Sequence, residues 1–189
     1  MSMLPSKPDL GLHDIFLMMP DHAEGVIRYY HDLMRGPSEL SPGERELIYS
    51  YSVALQGCHY PYHSHIVAAI ELGIDPEIPN RMFDDFDNAP LTPRLRAILS
   101  YARRLAIAPG TLEPRDAEAL YASGCSENLL FDIVRVGALA AWIGRIVTGL
   151  GAAGEIGFLQ DRGRALAKGG YQGVLAALSA RLAALKAKA

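Results

Sequence analysis

The strongest constraint on the fold is the way helix starts are written into the chain. In Leu40-Ser41-Pro42-Gly43-Glu44 a serine offers its side-chain oxygen to free backbone amides, and proline takes the first helical position, where no N–H is needed. The glutamate at the third helical position reaches back to complete a capping box. Leu91-Thr92-Pro93 repeats the cap-then-proline order, Glu113-Pro114 opens a shorter helix, and Ser126 precedes Leu129-Leu130. The echo between the first two is how helices begin rather than a repeat. Between these starts, apolar residues recur at three- and four-residue spacing and nowhere alternate with period two, so the expected fold is all-α.

Taken in order, residues 1–20 carry Pro5, Pro8 and Pro20 without a sustained period and read as an extended arm across the body or a neighbour. A helix from Pro20-Asp21 to about Arg35 buries Val26, Ile27, Tyr30, Leu33 and Met34, and Gly36-Pro37 stops it. The Ser41 helix runs through Leu47, Ile48, Tyr51 and Leu55 to Gln56-Gly57. Another runs from about His59 to Leu72, where Gly73 caps it. A short helix near Ile78–Phe83 is followed by helices at 91–105 and 113–121. The helix from Ser126 to about Leu150 is apolar nearly all round and is expected to be the central buried one. After the glycine-rich turn at 149–154, Val174, Leu178, Leu182 and Leu185 form one stripe on a last helix. One helical domain over residues 1–155 and a C-terminal helical extension over 156–189, docked on the body or on another subunit, is the expected organisation.

Composition narrows the setting. At 189 residues with half of them apolar, the chain suits one domain with a real core. A formal net charge of −3 gives no electrostatic reason to expect nucleic acid. Two cysteines make no disulfide framework and read as reduced thiols. The start Met1-Ser2-Met3-Leu4-Pro5 lacks a signal peptide's apolar core, and the apolar run Val134–Leu150 is interrupted by Arg135 and Arg145, so no membrane partner is expected. The expected location is cytoplasmic.

Reactive residue types concentrate in Gln56-Gly57-Cys58-His59-Tyr60-Pro61-Tyr62-His63-Ser64-His65. With a helix beginning at Cys58–His59, Cys58, Pro61, Tyr62 and His65 share one face, and His59 and His63 form a second stripe. The helix N-terminus favours the Cys58 thiolate, and His65 offers a proton acceptor within side-chain reach. Glu46, on the preceding helix, returns to this face if the two helices form a hairpin. Carboxylate, imidazole and thiol in a semi-buried pocket then make a proton relay. A plainer reading fits equally well, with Cys58 a small buried apolar residue, His65 a hydrogen-bonded core histidine, His59 and His63 solvated, and Glu46 paired with Arg45 or Arg28.

The order of these features resembles the alkylhydroperoxidase D-like (AhpD-like) family of the carboxymuconolactone decarboxylase superfamily, nearest its peroxidase-related branch. The resemblance rests on Leu40-Ser-Pro-x-Glu-Arg-Glu46, an apolar helix, then Gly57-Cys58-x-Tyr60 with His65 and the Leu72-Gly73 stop. Pro90-Leu-Thr-Pro-Arg94, Tyr101-Ala-Arg-Arg-Leu105, Ala108-Pro-Gly110, Leu120 to Gly124, and Arg145 before Gly149-Leu-Gly151 extend it over roughly residues 10–155. It implies an all-helical bundle around a helical hairpin, assembled as a trimer or as a hexamer built from a trimer of dimers, with Glu46, Cys58 and His65 at the family's functional positions. In peroxidase members the second cysteine of Cys-x-x-Cys attacks the peroxide, and here that position is Pro61. Ala141 and Gly144 stand where the branch tends to carry asparagine. Cys125, just before a helix start, reads as a hydrophobic staple residue.

Several functions stay open at this point. One is a peroxidase-related oxidoreductase using Cys58 with an external thiol reductant. Another is an acid–base lyase or isomerase in which Glu46 and His65 act on a small organic acid without any cofactor. In both, Tyr60, Pro61, Tyr62, Trp142 and Arg145 are the expected substrate-pocket residues. Metal binding by His59, His63 and His65 is an alternative, and a non-catalytic, homo-oligomeric binding protein is a further one.

Overall fold

The structure, a computed structural model, describes residues 2–186, with the side chains of Leu185 and Lys186 outside the described residues. It is all-α: α1 (Leu12–Leu17), α2 (Ala23–Arg35), α3 (Pro42–Leu55), α4 (His59–Glu71), α5 (Glu77–Arg81), α6 (Pro93–Ile107), α7 (Pro114–Ala122), α8 (Glu127–Leu150), α9 (Ile156–Gly169) and α10 (Gln172–Lys186). The caps form as the sequence dictates. Ser41 Oγ accepts from the Glu44 amide at 3.1 Å, and Glu44 Oε2 accepts from the Ser41 amide at 2.7 Å. Thr92 and Ser126 cap α6 and α8 in the same way.

The centre of the bundle is α3, not α8. Every residue from Arg45 to Val53 is buried, whereas α8 exposes Phe131, Ala138, Trp142 and Arg145 along one side. The apolar content of a helix misleads here because α3 buries polar groups together with their partners. Ser50 and Ser52 donate back to the carbonyls of Leu47 and Ile48, and the Tyr49 hydroxyl meets that of Tyr30 at 2.7 Å. The two serine hydroxyls, satisfied in this way, carry little penalty. Among the described residues no helix is long and apolar enough to cross a membrane.

A tight turn folds α4 back along α3. Gly57 at φ 75° lets its own amide reach the Ala54 carbonyl and the Cys58 amide reach the Val53 carbonyl, both at 2.9 Å. That is the paired closure of a Schellman motif, which needs a left-handed residue and so favours glycine. Cys58 becomes the N-cap of α4.

The N-terminal end differs from the extended arm expected of it. Within 1–20, α1 forms and buries Ile15 and Phe16; six residues are too few for helical periodicity to register against the surrounding prolines. Residues 156–186 form two helices because Gly169-Gly170 interrupts them, Gly170 lying at φ 58°. α9 lies against α4 closely enough that a Cβ on Gly163 would stand 2.4 Å from the Ser64 carbonyl oxygen. α10 packs on α1 and α2, burying Leu178 and Leu182 and half-burying Val174; the Leu185 side chain of that stripe lies outside the described residues.

Candidate active site

The α3–α4 hairpin brings together two of the singled-out residues. Glu46 Oε2 and His65 Nδ1 are 2.5 Å apart, with Glu46 fully buried. The other carboxylate oxygen, Oε1, pairs with Arg35 Nη2 at 2.7 Å and accepts from the Tyr171 hydroxyl at 3.2 Å. Burial pushes the Glu46 carboxyl up. The charges of His65 and Arg35 and their hydrogen bonds outweigh that and hold it below the usual carboxylate range. Glu46 is therefore held as an anion that can accept a hydrogen bond from Nδ1–H, the tautomer of the neutral imidazole in which Nε2 is the acceptor. Among the described residues Nε2 makes no hydrogen bond.

His65 faces a cavity of about 40 Å³, or about 490 Å³ of empty space counted out through its mouth. Pro61, Ser64 and His65 of α4 form one wall, at three- and four-residue spacing. Ile143 of α8, Tyr30 and Tyr49 close the interior. Leu12 and Phe16 of α1, and Arg162, Leu166, Tyr171 and Val174 of the C-terminal helices, complete it. The Tyr49 ring stacks on the His65 ring, centroids 3.8 Å apart. Leu12, Phe16, Ile143, Leu166 and Val174 make much of the lining apolar, and the space is on the scale of a few heavy atoms.

Cys58 lies elsewhere. Seven residues before His65 on one helix is about 10 Å along the axis, so the two share a face but not a reaction centre. Cys58 opens on a separate cleft of about 470 Å³ with His59, His63, Thr148 and Gly154. Among the described residues only Tyr60, between them, lines both hollows, and its hydroxyl accepts from the Leu12 amide at 3.2 Å. The thiolate expected from the helix N-terminus is not favoured. Burial pushes the Cys58 thiol up, and hydrogen bonds from the Thr148 side chain and the Tyr60 backbone offset this only in part.

Of the five expected pocket residues, Tyr60 and Pro61 line the Glu46–His65 cavity. Tyr62, one residue beyond Pro61 and so about 100° round the helix, turns to the edge of Phe83 instead. Trp142 and Arg145 flank Ile143 but face outward, Trp142 into a groove with Tyr29 and Arg145 beside Gln56 and Ile107. Gly144 faces the Cys58 side, where a Cβ would lie 3.7 Å from that of Cys58. The alternative metal set does not assemble, since His65 Nδ1 is committed to Glu46 while His59 and His63 line the other cleft; among the described residues no group of three or more histidine, cysteine or acidic side chains could hold a metal. Arg35, Tyr30, Tyr49 and Tyr171 escaped the sequence reading. Arg35 and Tyr30 lie on a helix whose spacing marks only an apolar face, Tyr49 sits beside Glu46 on α3 with no spacing signal of its own, and Tyr171 follows the glycine pair Gly169-Gly170.

The sequence model of the Carboxymuconolactone decarboxylase family matches residues 20–104, which carry α2 to most of α6 and hence Glu46, Cys58 and His65. No curated protein matches. Among solved structures, an uncharacterised peroxidase-related protein from Silicibacter sp. TM1040 is similar at 25% identity and a TM-score of 0.67, over 75% of this chain and 74% of that one. The alkylhydroperoxidase AhpD core of an uncharacterised peroxidase-related protein from Ralstonia eutropha JMP134 shares the fold at 22% identity and a TM-score of 0.66, over 77% of this chain and 76% of that one. The family match over residues 20–104, the all-α bundle and these neighbours make the chain similar to AhpD-like members of the carboxymuconolactone decarboxylase superfamily.

Proposed function

We propose that the protein is a small-molecule enzyme of this superfamily that works by proton transfer, with His65 as the catalytic base and Glu46 as the residue that positions it. One observation carries this reading: the 2.5 Å contact between Glu46 Oε2 and His65 Nδ1, which leaves Nε2 without a partner beside a cavity. A buried carboxylate on one ring nitrogen selects the tautomer whose other nitrogen accepts a proton, and it stabilises the imidazolium that forms. Arg35 and Tyr171 occupy the second carboxylate oxygen, so Glu46 has no free oxygen with which to turn toward substrate. The cavity suits the reacting end of a small organic molecule, as a decarboxylase- or isomerase-type reaction requires.

The test is proton exchange in deuterium oxide, followed by NMR on a panel of small ketones, lactones and carboxylic acids. Wild-type protein and Cys58→Ala are expected to exchange the same substrate at similar rates, and His65→Gln to lose at least about 100-fold. Loss in Cys58→Ala with activity kept in His65→Gln would reverse the assignment.

A second reading has its own support. The two similar structures are described as peroxidase-related, and Cys58 borders the larger cleft. On that reading the Cys58 thiolate attacks the peroxide O–O bond and releases an alcohol, and the resulting sulfenic acid is reduced by an external thiol. Stoichiometric hydroperoxide that leaves Cys58 unoxidised excludes it.

A further inference from the structure

Two of the residues that line the cavity share a hydrogen bond with a proton to spare. Tyr30 Oη and Tyr49 Oη are 2.7 Å apart, and each hydroxyl carries one O–H. One proton bridges the pair. The second has no acceptor among the described residues, since neither hydroxyl makes another hydrogen bond and the third phenol of the cluster, Tyr171, donates to Glu46. Both tyrosines are almost wholly buried, at 4% and 1% exposure, and both line the cavity into which His65 faces. Burial also raises both phenols above their ordinary value, so they remain neutral donors. A buried donor without an acceptor is costly unless something arrives to accept from it.

We infer that the Tyr30–Tyr49 pair is the hydrogen-bond donor for the oxygen of a carbonyl substrate, which makes this a site for removing a proton from the carbon next to a ketone, ester or lactone carbonyl. The inference rests on the reading of His65 as the base. His65 Nε2 takes the proton from that carbon, the C–H electron pair becomes the carbon–carbon double bond of an enolate, and the carbonyl π pair moves onto oxygen. The free O–H of the tyrosine pair holds that oxygen, and the bridging hydrogen bond strengthens it by polarising the donor. Returning a proton from the imidazolium to carbon completes exchange or isomerisation, with no oxidant or reductant required. The stack of Tyr49 on His65 keeps the pair beside the base.

Two readouts test the pair, with acetone as the probe. The first is the infrared stretch of carbonyl-labelled acetone in the presence of excess protein. It is expected to move to lower wavenumber with wild type and to return toward its value in an apolar solvent with Tyr30→Phe/Tyr49→Phe. The second is deuterium exchange into acetone, expected to fall about 100-fold in the double variant and less than about 10-fold in either single one, because the remaining hydroxyl still carries a proton. Replacing both partners by phenylalanine removes a matched pair without stranding either member, so the double variant is expected to fold. No carbonyl shift in wild type, or the same shift in wild type and double variant, overturns the inference. Exchange that needs His65 but ignores the tyrosines removes the donor and leaves the base standing. A carbonyl shift that needs the tyrosines while exchange ignores His65 removes the base and leaves the donor.

Discussion

Glu46 and His65, nineteen residues apart on the two arms of the α3–α4 hairpin, meet at 2.5 Å between Oε2 and Nδ1. Arg35, from the end of α2, approaches the opposite oxygen of the same carboxylate. One buried anion is thus held between two cationic or proton-sharing partners, and its charge survives burial because both are present. The consequences for stability and reactivity can be measured separately.

Glu46→Gln is expected to cost about 3 kcal/mol at neutral pH, or very roughly 6–12 °C in Tm, because it leaves Arg35 without its buried counter-charge. The folded carboxyl lies below its ordinary value of 4.5. Its contribution is therefore fully present above that value and is lost as pH falls through the depressed folded value. Thermal melts of wild type and Glu46→Gln between pH 7 and pH 3 are expected to converge on the acid side. A constant gap across that range argues against the depressed carboxyl.

Arg35 is expected to matter to stability before it matters to chemistry. Its side chain is 13% exposed, and it also donates to the carbonyls of Met34 and Leu166. Arg35→Met, which keeps the stem but not the guanidinium, is expected to cost about 2–3 kcal/mol, below the full penalty of a stranded buried charge because His65 still faces Glu46. Urea denaturation measures this. An unchanged midpoint would show that the pair contributes nothing.

Cys58 is expected to be a sluggish thiol. With its pKa above the ordinary value of 9.0, its alkylation by iodoacetamide in a Cys125→Ser background is expected to be slow at pH 7 and still to be climbing with pH above pH 9, where an ordinary thiol levels off. Rapid labelling at pH 7 would instead mark a thiolate and revive the peroxidase reading.

Gly163→Ala tests how the C-terminal helices hold the cavity. The added methyl meets the Ser64 carbonyl and Val67 Cβ, at 2.4 and 2.7 Å from its ideal position. Neither can rotate away, so a loss of about 1–3 kcal/mol is expected. Because α9 leads into Tyr171, faster amide exchange is expected in α9 and α10 ahead of α3. Uniform loss of protection would place the effect elsewhere.

Much of this was legible in the chain. Ser41-Pro42, Thr92-Pro93 and Ser126 announce their helices because capping is local chemistry, and the Glu46–His65 meeting follows from a hairpin whose turn is marked by Gly57. What escaped depends on distant partners. The burial of α3 could not be read from a segment containing Arg45 and Glu46, since their partners, the Leu33 and Gly36 carbonyls for Arg45 and Arg35, His65 and Tyr171 for Glu46, are not identified by sequence spacing. Helical spacing put Cys58 and His65 on one face correctly, yet two turns of rise separate them into different hollows. Trp142 and Arg145 were selected by residue type, while the side chain that reaches the cavity from α8 is Ile143. Tyr30 reads as an ordinary core position and nothing in the sequence singles out Tyr49, because the meeting of their hydroxyls depends on how α2 packs against α3.

The most direct test of the central claim is the tautomer of His65. Long-range ¹H–¹⁵N NMR on imidazole-labelled protein distinguishes the two ring nitrogens in the neutral form. The expected result is a proton on Nδ1, shifted downfield by Glu46 and returning upfield in Glu46→Gln, with Nε2 bare and perturbed when a cavity ligand such as acetone is added. A proton on Nε2 in the wild type, or a spectrum indifferent to Glu46→Gln, contradicts the assignment of His65 as the base.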